Sequence, residues 1–147
     1  MKSFRQIHAS YLATDGSPAR FELAARTAAA RARWSALRYY SDQAYYVMLF
    51  AQLEQFVDAE CEKLINRKKN SPVWKNRRLW DSTDPERLQF MRKVALLTQK
   101  GSTTYNRIDQ FYDLRCDIAH GTPIAPGTIV VSAAVTDFQQ FAKNLKS

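Results

Sequence analysis

Residues 42–67 read DQAYYVMLFAQLEQFVDAECEKLINR, and their apolar side chains recur at helical spacing. Tyr46, Phe50, Leu53, Val57, Cys61 and Leu64 follow at steps of three and four, and Tyr45, Leu49 and Phe56 widen the stripe. Such steps keep side chains on one face of a helix of 3.6 residues per turn, whereas a half-buried strand alternates. This stretch predicts a long central helix covered by others.

Outward from it, glycine and proline punctuate the chain. Gly16 and Pro18 precede the first periodic run, Pro72 interrupts a basic stretch, and Gly101 separates two helical segments. Gly121, Pro123, Pro126 and Gly127 form one further break. No breaker lies between Pro18 and Pro72. A straight helix over that run would span roughly 80 Å, so a break is expected at Tyr39 to Ser41, with Ser41-Asp42 as the next N-cap. A first helix is then predicted over 19–38, with Leu23, Thr27, Ala30, Trp34 and Leu37 as its stripe. Another starts at Asp84-Pro85, and another runs from Thr103 or Thr104 to Gly121. The last begins at Ser132 or Thr136 and carries Val135, Phe138, Phe141, Ala142 and Leu145. The expected fold is all-α: an antiparallel bundle of four to five helices, a single domain over 19–147 behind an N-terminal tail over 1–18.

Composition agrees. Of 147 residues, 46% are hydrophobic and 24% charged, which excludes wholesale disorder. Four glycines are too few for a turn-rich β fold. No apolar run reaches membrane-spanning length and no signal-peptide core is visible, so no membrane partner is expected. Cys61 and Cys116, without C-x-x-C spacing, fit a reducing cytoplasm. Neither a metal nor a cofactor is expected, because no Gly-rich phosphate loop, paired-carboxylate site or H-E-x-x-H occurs.

The net charge is +8, and the excess is concentrated before residue 101. From Lys63 to Arg78 there is no acid, while Lys68, Lys69, Lys75, Arg77 and Arg78 accompany Trp74, with Trp80 just beyond. Cations that neutralise phosphates, beside rings that stack on bases, suit single-stranded RNA. A solvated helix end with tryptophans folded back onto the bundle has the same composition.

The helix ending at Gly121 holds an anomaly. On an ideal helix Arg115 projects among Ile108, Phe111, Tyr112, Ile118 and Ala119, the apolar face. Asn106, Asp109, Asp113, Cys116, Asp117 and His120 gather opposite. A buried guanidinium must be paired or must border a cleft or interface. Arg115 and His120 stand about 140° apart, so they converge only across a cleft that both flank, or if the last turn is distorted. Gly121 can take the left-handed C-terminal cap.

The segment from Tyr112 to Gly121, YDLRCDIAHG, resembles the signature of HEPN domains (higher eukaryotes and prokaryotes nucleotide-binding). The likeness is greatest to the HEPN ribonucleases of bacterial toxin and antiphage systems. Their motif is an arginine, four to six residues and a histidine, often R-N-x-x-A-H-G. Arg115, Ala119, His120 and Gly121 match it. Cys116 stands where Asn or Asp is common, and Asp117 follows. The resemblance implies an all-α homodimer that sets two Arg-His pairs in one composite site. It implies metal-independent RNA cleavage by a ribose 2′-hydroxyl, with Arg115 and His120 catalytic and Asp117, Cys116, Asp113 and Tyr112 supporting. It further implies a toxin or phage-defence effector, with an antitoxin or inhibitor protein as a further partner. The residues suit the chemistry: His transfers protons near neutrality, and Arg offers a fork for growing phosphate charge. A non-catalytic HEPN-like module that binds RNA, nucleotide or a partner protein is the alternative, and Cys116 argues for it.

Overall fold

The computed structural model describes residues 2–145, of Lys2 the backbone alone. All regular structure among them is helical. The helices are α1 (Lys2–Ala24), α2 (Ala28–Lys69), α3 (Trp74–Asp81), α4 (Phe90–Leu97), α5 (Thr103–Ala119) and α6 (Val131–Asn144), with a 3-10 turn at Pro85–Arg87. The contacts fall into two units, Met1–Gln52 with Asp113–Gln139 and Leu53–Tyr112 with Gln140–Ser147.

In the first unit α1 and α2 form an antiparallel hairpin. Tyr11 packs on Tyr45, Arg38 reaches Asp15, and Phe21 stacks on Trp34, so paired positions run in opposite senses. Of the residues expected to be a tail over 1–18, those from Lys2 onward belong to α1, and Met1 lies outside the described residues. Phe4 and Tyr11, two turns apart on one stripe, are buried and hold this segment in the core. Pro18 lies inside α1.

The expected break at Tyr39 to Ser41 does not exist, and α2 continues through it. The Asp42 carboxylate, expected to cap a helix, instead accepts a hydrogen bond from the Tyr11 hydroxyl at 2.9 Å. The turn falls earlier, at residues 25–27, where the Thr27 hydroxyl oxygen accepts the Ala30 N–H at 3.1 Å as a helix cap. Leu23, Thr27 and Leu37 consequently do not form a core stripe; Leu23 is 87% exposed. The core of this unit closes on Phe138, whose ring meets Phe4, Tyr46 and Phe50 at 6.3, 5.9 and 5.7 Å between centroids.

In the second unit Leu53, Val57, Cys61, Leu64 and Ile65 of α2 are buried with Val94, Ile108, Phe141, Ala142 and Leu145. Phe111 meets Phe141 edge-on at 5.7 Å, and Asn144 donates to the Thr104 hydroxyl at 3.2 Å, so this part of α5 and α6 also runs antiparallel. The basic stretch from Lys63 to Arg78 contains the end of α2 and most of α3. Asp84 caps as expected, accepting the Glu86 N–H at 3.0 Å, but it opens only the 3-10 turn, and α4 starts at Phe90. Among the described residues no helix is long and apolar enough to cross a membrane.

Removing the Phe138 ring should leave a cavity at the meeting point of three other rings. Phe138→Ala is expected to cost about 3–5 kcal/mol of unfolding free energy, read from urea titrations by circular dichroism. A loss under 1 kcal/mol would contradict this packing.

Candidate functional site

The motif segment occupies the last two turns of α5, in the first unit from Asp113 onward. Arg115 and Cys116 are half-buried, while Asp113, Asp117 and His120 are exposed. Tyr112, in the second unit, stacks on Phe90 at 5.2 Å. Asp113, Cys116, Asp117 and His120 stand at i, i+3, i+4 and i+7, forming one polar strip at the end of the helix.

The helix keeps its regular ladder to the end. The His120 N–H donates to the Cys116 carbonyl at 2.9 Å, so the last turn is not distorted. Gly121 then turns left-handed with φ +70°. Its N–H donates to the Ile118 carbonyl at 3.1 Å, and the Thr122 N–H to the Asp117 carbonyl at 2.9 Å. This pair of bonds is the Schellman termination, with His120 as the last residue before the glycine. With the pitch intact, Arg115 and His120 stay about 140° apart around the axis and roughly 7–8 Å apart along it. The helix does not place them on one face.

The loop beyond His120 is anchored. The Tyr39 hydroxyl donates to the Ile124 carbonyl at 2.9 Å and accepts the Ile124 N–H at 3.1 Å, satisfying both backbone groups of one loop residue. This anchor gave no sequence signal, because it joins residues 85 positions apart.

Beside the loop lies a cavity of about 350 Å³ that sequence reasoning missed, lined among others by Tyr11, Glu22, Arg38, Asp42 and Gly127. The Arg38 guanidinium spans Asp15 at 2.8 Å and Glu22 at 2.9 Å. Burial pushes the Asp42 carboxyl above its ordinary value, against the opposing hydrogen bond from Tyr11 and the charge of Arg38. Burial and the adjoining Asp42 likewise push the Tyr11 hydroxyl up.

The basic residues lie at the end of α2 and along α3. Lys68, Lys75 and Arg78 are exposed, and Lys69 and Arg77 are half-buried. Arg77 faces Asp81 at 3.7 Å, and the Arg78 guanidinium lies over the Trp74 ring at 5.3 Å, covering one face of an otherwise exposed indole. Among the described residues no group of three or more His, Cys, Asp or Glu side chains is gathered to hold a metal ion. Compared with family models, curated proteins and solved structures, the chain has no match.

Two expectations follow. No heavy atom lies within 4 Å of where a Gly121 Cβ would stand, so Gly121→Ala meets only the backbone cost of positive φ, about 1 kcal/mol, read as a fall in Tm. A carboxyl whose pKa is raised by folding favours the folded state below its ordinary value and loses that contribution as pH rises through the raised one. Asp42→Asn should therefore gain Tm relative to wild type as pH rises from 3.8 towards neutrality. A difference independent of pH would contradict the burial of that charge.

Proposed function

We propose that the chain is an endoribonuclease of the HEPN type, acting as a homodimer with a composite site, as a toxin or phage-defence effector. The observation that carries this reading is the end of α5. A half-buried Arg115 is followed by an exposed His120 and a left-handed Gly121, in the order and spacing of the motif. The regular last turn supports the dimer in particular. One copy holds its Arg and His on different sides of the helix, so a two-fold axis beside α5 offers a way to face them across a shared cleft.

In the proposed reaction the 2′-hydroxyl of a ribose attacks the adjacent phosphate and the 5′-oxygen leaves. His120 transfers the proton, and Arg115 holds the charge growing on the phosphoryl oxygens. Asp117, one turn before His120 on the same strip, orients it, while Asp113, Cys116 and Tyr112 support the helix end. Lys68, Lys69, Lys75, Arg77 and Arg78 attract the RNA backbone. A bound antitoxin or inhibitor protein would restrain the activity.

The test is RNA cleavage by purified protein. Arg115→Ala and His120→Ala should each lose about a hundredfold or more, with helical content unchanged. Asp117→Ala should lose less and Cys116→Ala least. Products should end in 2′,3′-cyclic phosphate, a 2′-deoxy residue at the scission point should block cutting, and chelators should not inhibit. Light scattering should give twice the chain mass. Equal cleavage by wild type and Arg115→Ala overturns the assignment, and a monomer overturns the composite site. RNA binding without cleavage would establish the module in which Cys116 replaces the motif's amide or acid.

A further inference from the structure

The second unit holds a slot of about 380 Å³ between α3 and α4, lined by Leu79, Trp80, Thr83, Leu88, Arg92 and Leu96. Its walls follow from helical spacing. Leu79 and Trp80 of α3 form one side, and Arg92 and Leu96, one turn apart on α4, form the other with Leu88 just before that helix. None of these groups belongs to the motif on α5.

The slot is unfinished as a core. Helix α3 has eight residues, no side-chain cap and no buried residue, and a helix so short is not stable by itself. Leu79 is 70% exposed and Trp74 57%. Large apolar side chains left open beside a cavity mark a surface that another molecule covers.

The occupant's chemistry can be read from rim and floor. Residues 67–92 carry eight basic residues and three acids. Of the acids, Asp81 faces Arg77 and Asp84 faces Arg87. The slot is lined by no acid, and Arg92 is its one charged lining residue. An anionic partner is favoured. The floor then distinguishes between polyanions. A nucleobase carries donors and acceptors on its edges, and the slot meets them mostly with three leucines and the Trp80 ring, Arg92 being the one charged donor in its lining. The Thr83 hydroxyl donates to the Leu79 carbonyl at 3.1 Å, so its proton is already engaged. A base stacked on Trp80 would still leave most of its polar edge groups unpaired, whereas an aliphatic side chain brings none to pair.

We infer that this slot takes an acidic amphipathic segment of a partner protein. Its aliphatic side chains enter between Leu79 and Leu88, and its carboxylates face Arg92. This is the helix-in-groove or apolar-anchor mode of peptide recognition with a cationic rim. It is independent of whether Arg115 and His120 cleave RNA.

The test uses the full chain and three labelled probes of equal length: a peptide with Leu at i, i+3, i+4 and i+7 and Glu elsewhere, the same peptide with Lys for Glu, and single-stranded RNA. Anisotropy should show binding of the Leu-Glu peptide and none of the Leu-Lys peptide. Leu79→Ser and Arg92→Glu change exposed side chains and should leave the circular dichroism unchanged, while each weakens the Leu-Glu peptide about tenfold. In the wild-type fold the peptide should also shift tryptophan emission, a response retained by Trp74→Phe and lost in Trp80→Phe. Absence of peptide binding overturns the inference, as does binding indifferent to both slot variants. RNA binding that falls with Leu79→Ser while the peptide's does not would assign the slot to a base instead.

Discussion

An uninterrupted helix of 42 residues has to be covered along its length. Residues of mixed helix propensity do not hold such a rod by backbone bonds alone, and most of its stability must come from its apolar stripe. Tyr46, Leu49, Phe50, Leu53, Val57, Cys61, Leu64 and Ile65 supply that stripe, all fully or nearly fully buried. Each covering element is amphipathic for this reason: α1 through Phe4 and Tyr11, α6 through Phe138 in one unit and through Phe141, Ala142 and Leu145 in the other. Where the stripe thins, towards the start of α2, Phe21 and Leu37 are half exposed. There the hairpin relies on the Arg38 fork to Asp15 and Glu22 and on the Phe21–Trp34 stack, so local opening should be easiest at this end.

The motif at the end of α5 depends on two local constraints. Gly121 ends the helix where a side-chain-bearing residue would be strained, fixing His120 as the capping residue directly after α5. Tyr39 then holds the outgoing chain by both backbone groups of Ile124. The first constraint sets the direction of the histidine, and the second limits where the following loop can go. Neither involves Arg115, whose angular place on the helix follows from helical pitch. The separation of arginine from histidine is therefore a property of a regular helix, and moving them together within one chain would require breaking the ladder between Cys116 and His120.

Much of this was legible in the sequence, and the rest was hidden for identifiable reasons. Helix α5, the cap at Asp84, the glycine termination and the stripe of α2 rest on interactions within a few residues, and local pattern reports them directly. The break expected at Tyr39 to Ser41 failed because Asp42, a good cap by type, is engaged by Tyr11 from another helix. Thr27, the cap actually used, sits in a run of alanines and arginines whose periodicity read as one helix. The stretch over 1–18 read as a tail because Gly16 and Pro18 outweighed the spacing of Phe4 and Tyr11; both breakers lie inside α1. The cavity beside Tyr11 and Asp42 joins residues far apart in the chain, which no local pattern encodes.

The formal charge of +8 also changes meaning once positions are known. Ion pairs such as Lys93–Asp58 and Lys63–Glu60 place many of the acids beside bases. Pairs at a surface contribute little to stability and leave the sum of charge unchanged, so the excess still acts at distance as a field that gathers polyanions. A field alone does not choose among them. Discrimination requires short-range chemistry: for RNA, as proposed for α5, a proton-transfer group and a cation near a phosphate; for an acidic polypeptide, as proposed between α3 and α4, an apolar slot beside a cation. These two features sit on separate elements, and no residue lining the slot belongs to the motif. Under these proposals a charge-conserving substitution in either one, such as Leu79→Ser in the slot, changes one recognition while leaving intact the electrostatic attraction common to both.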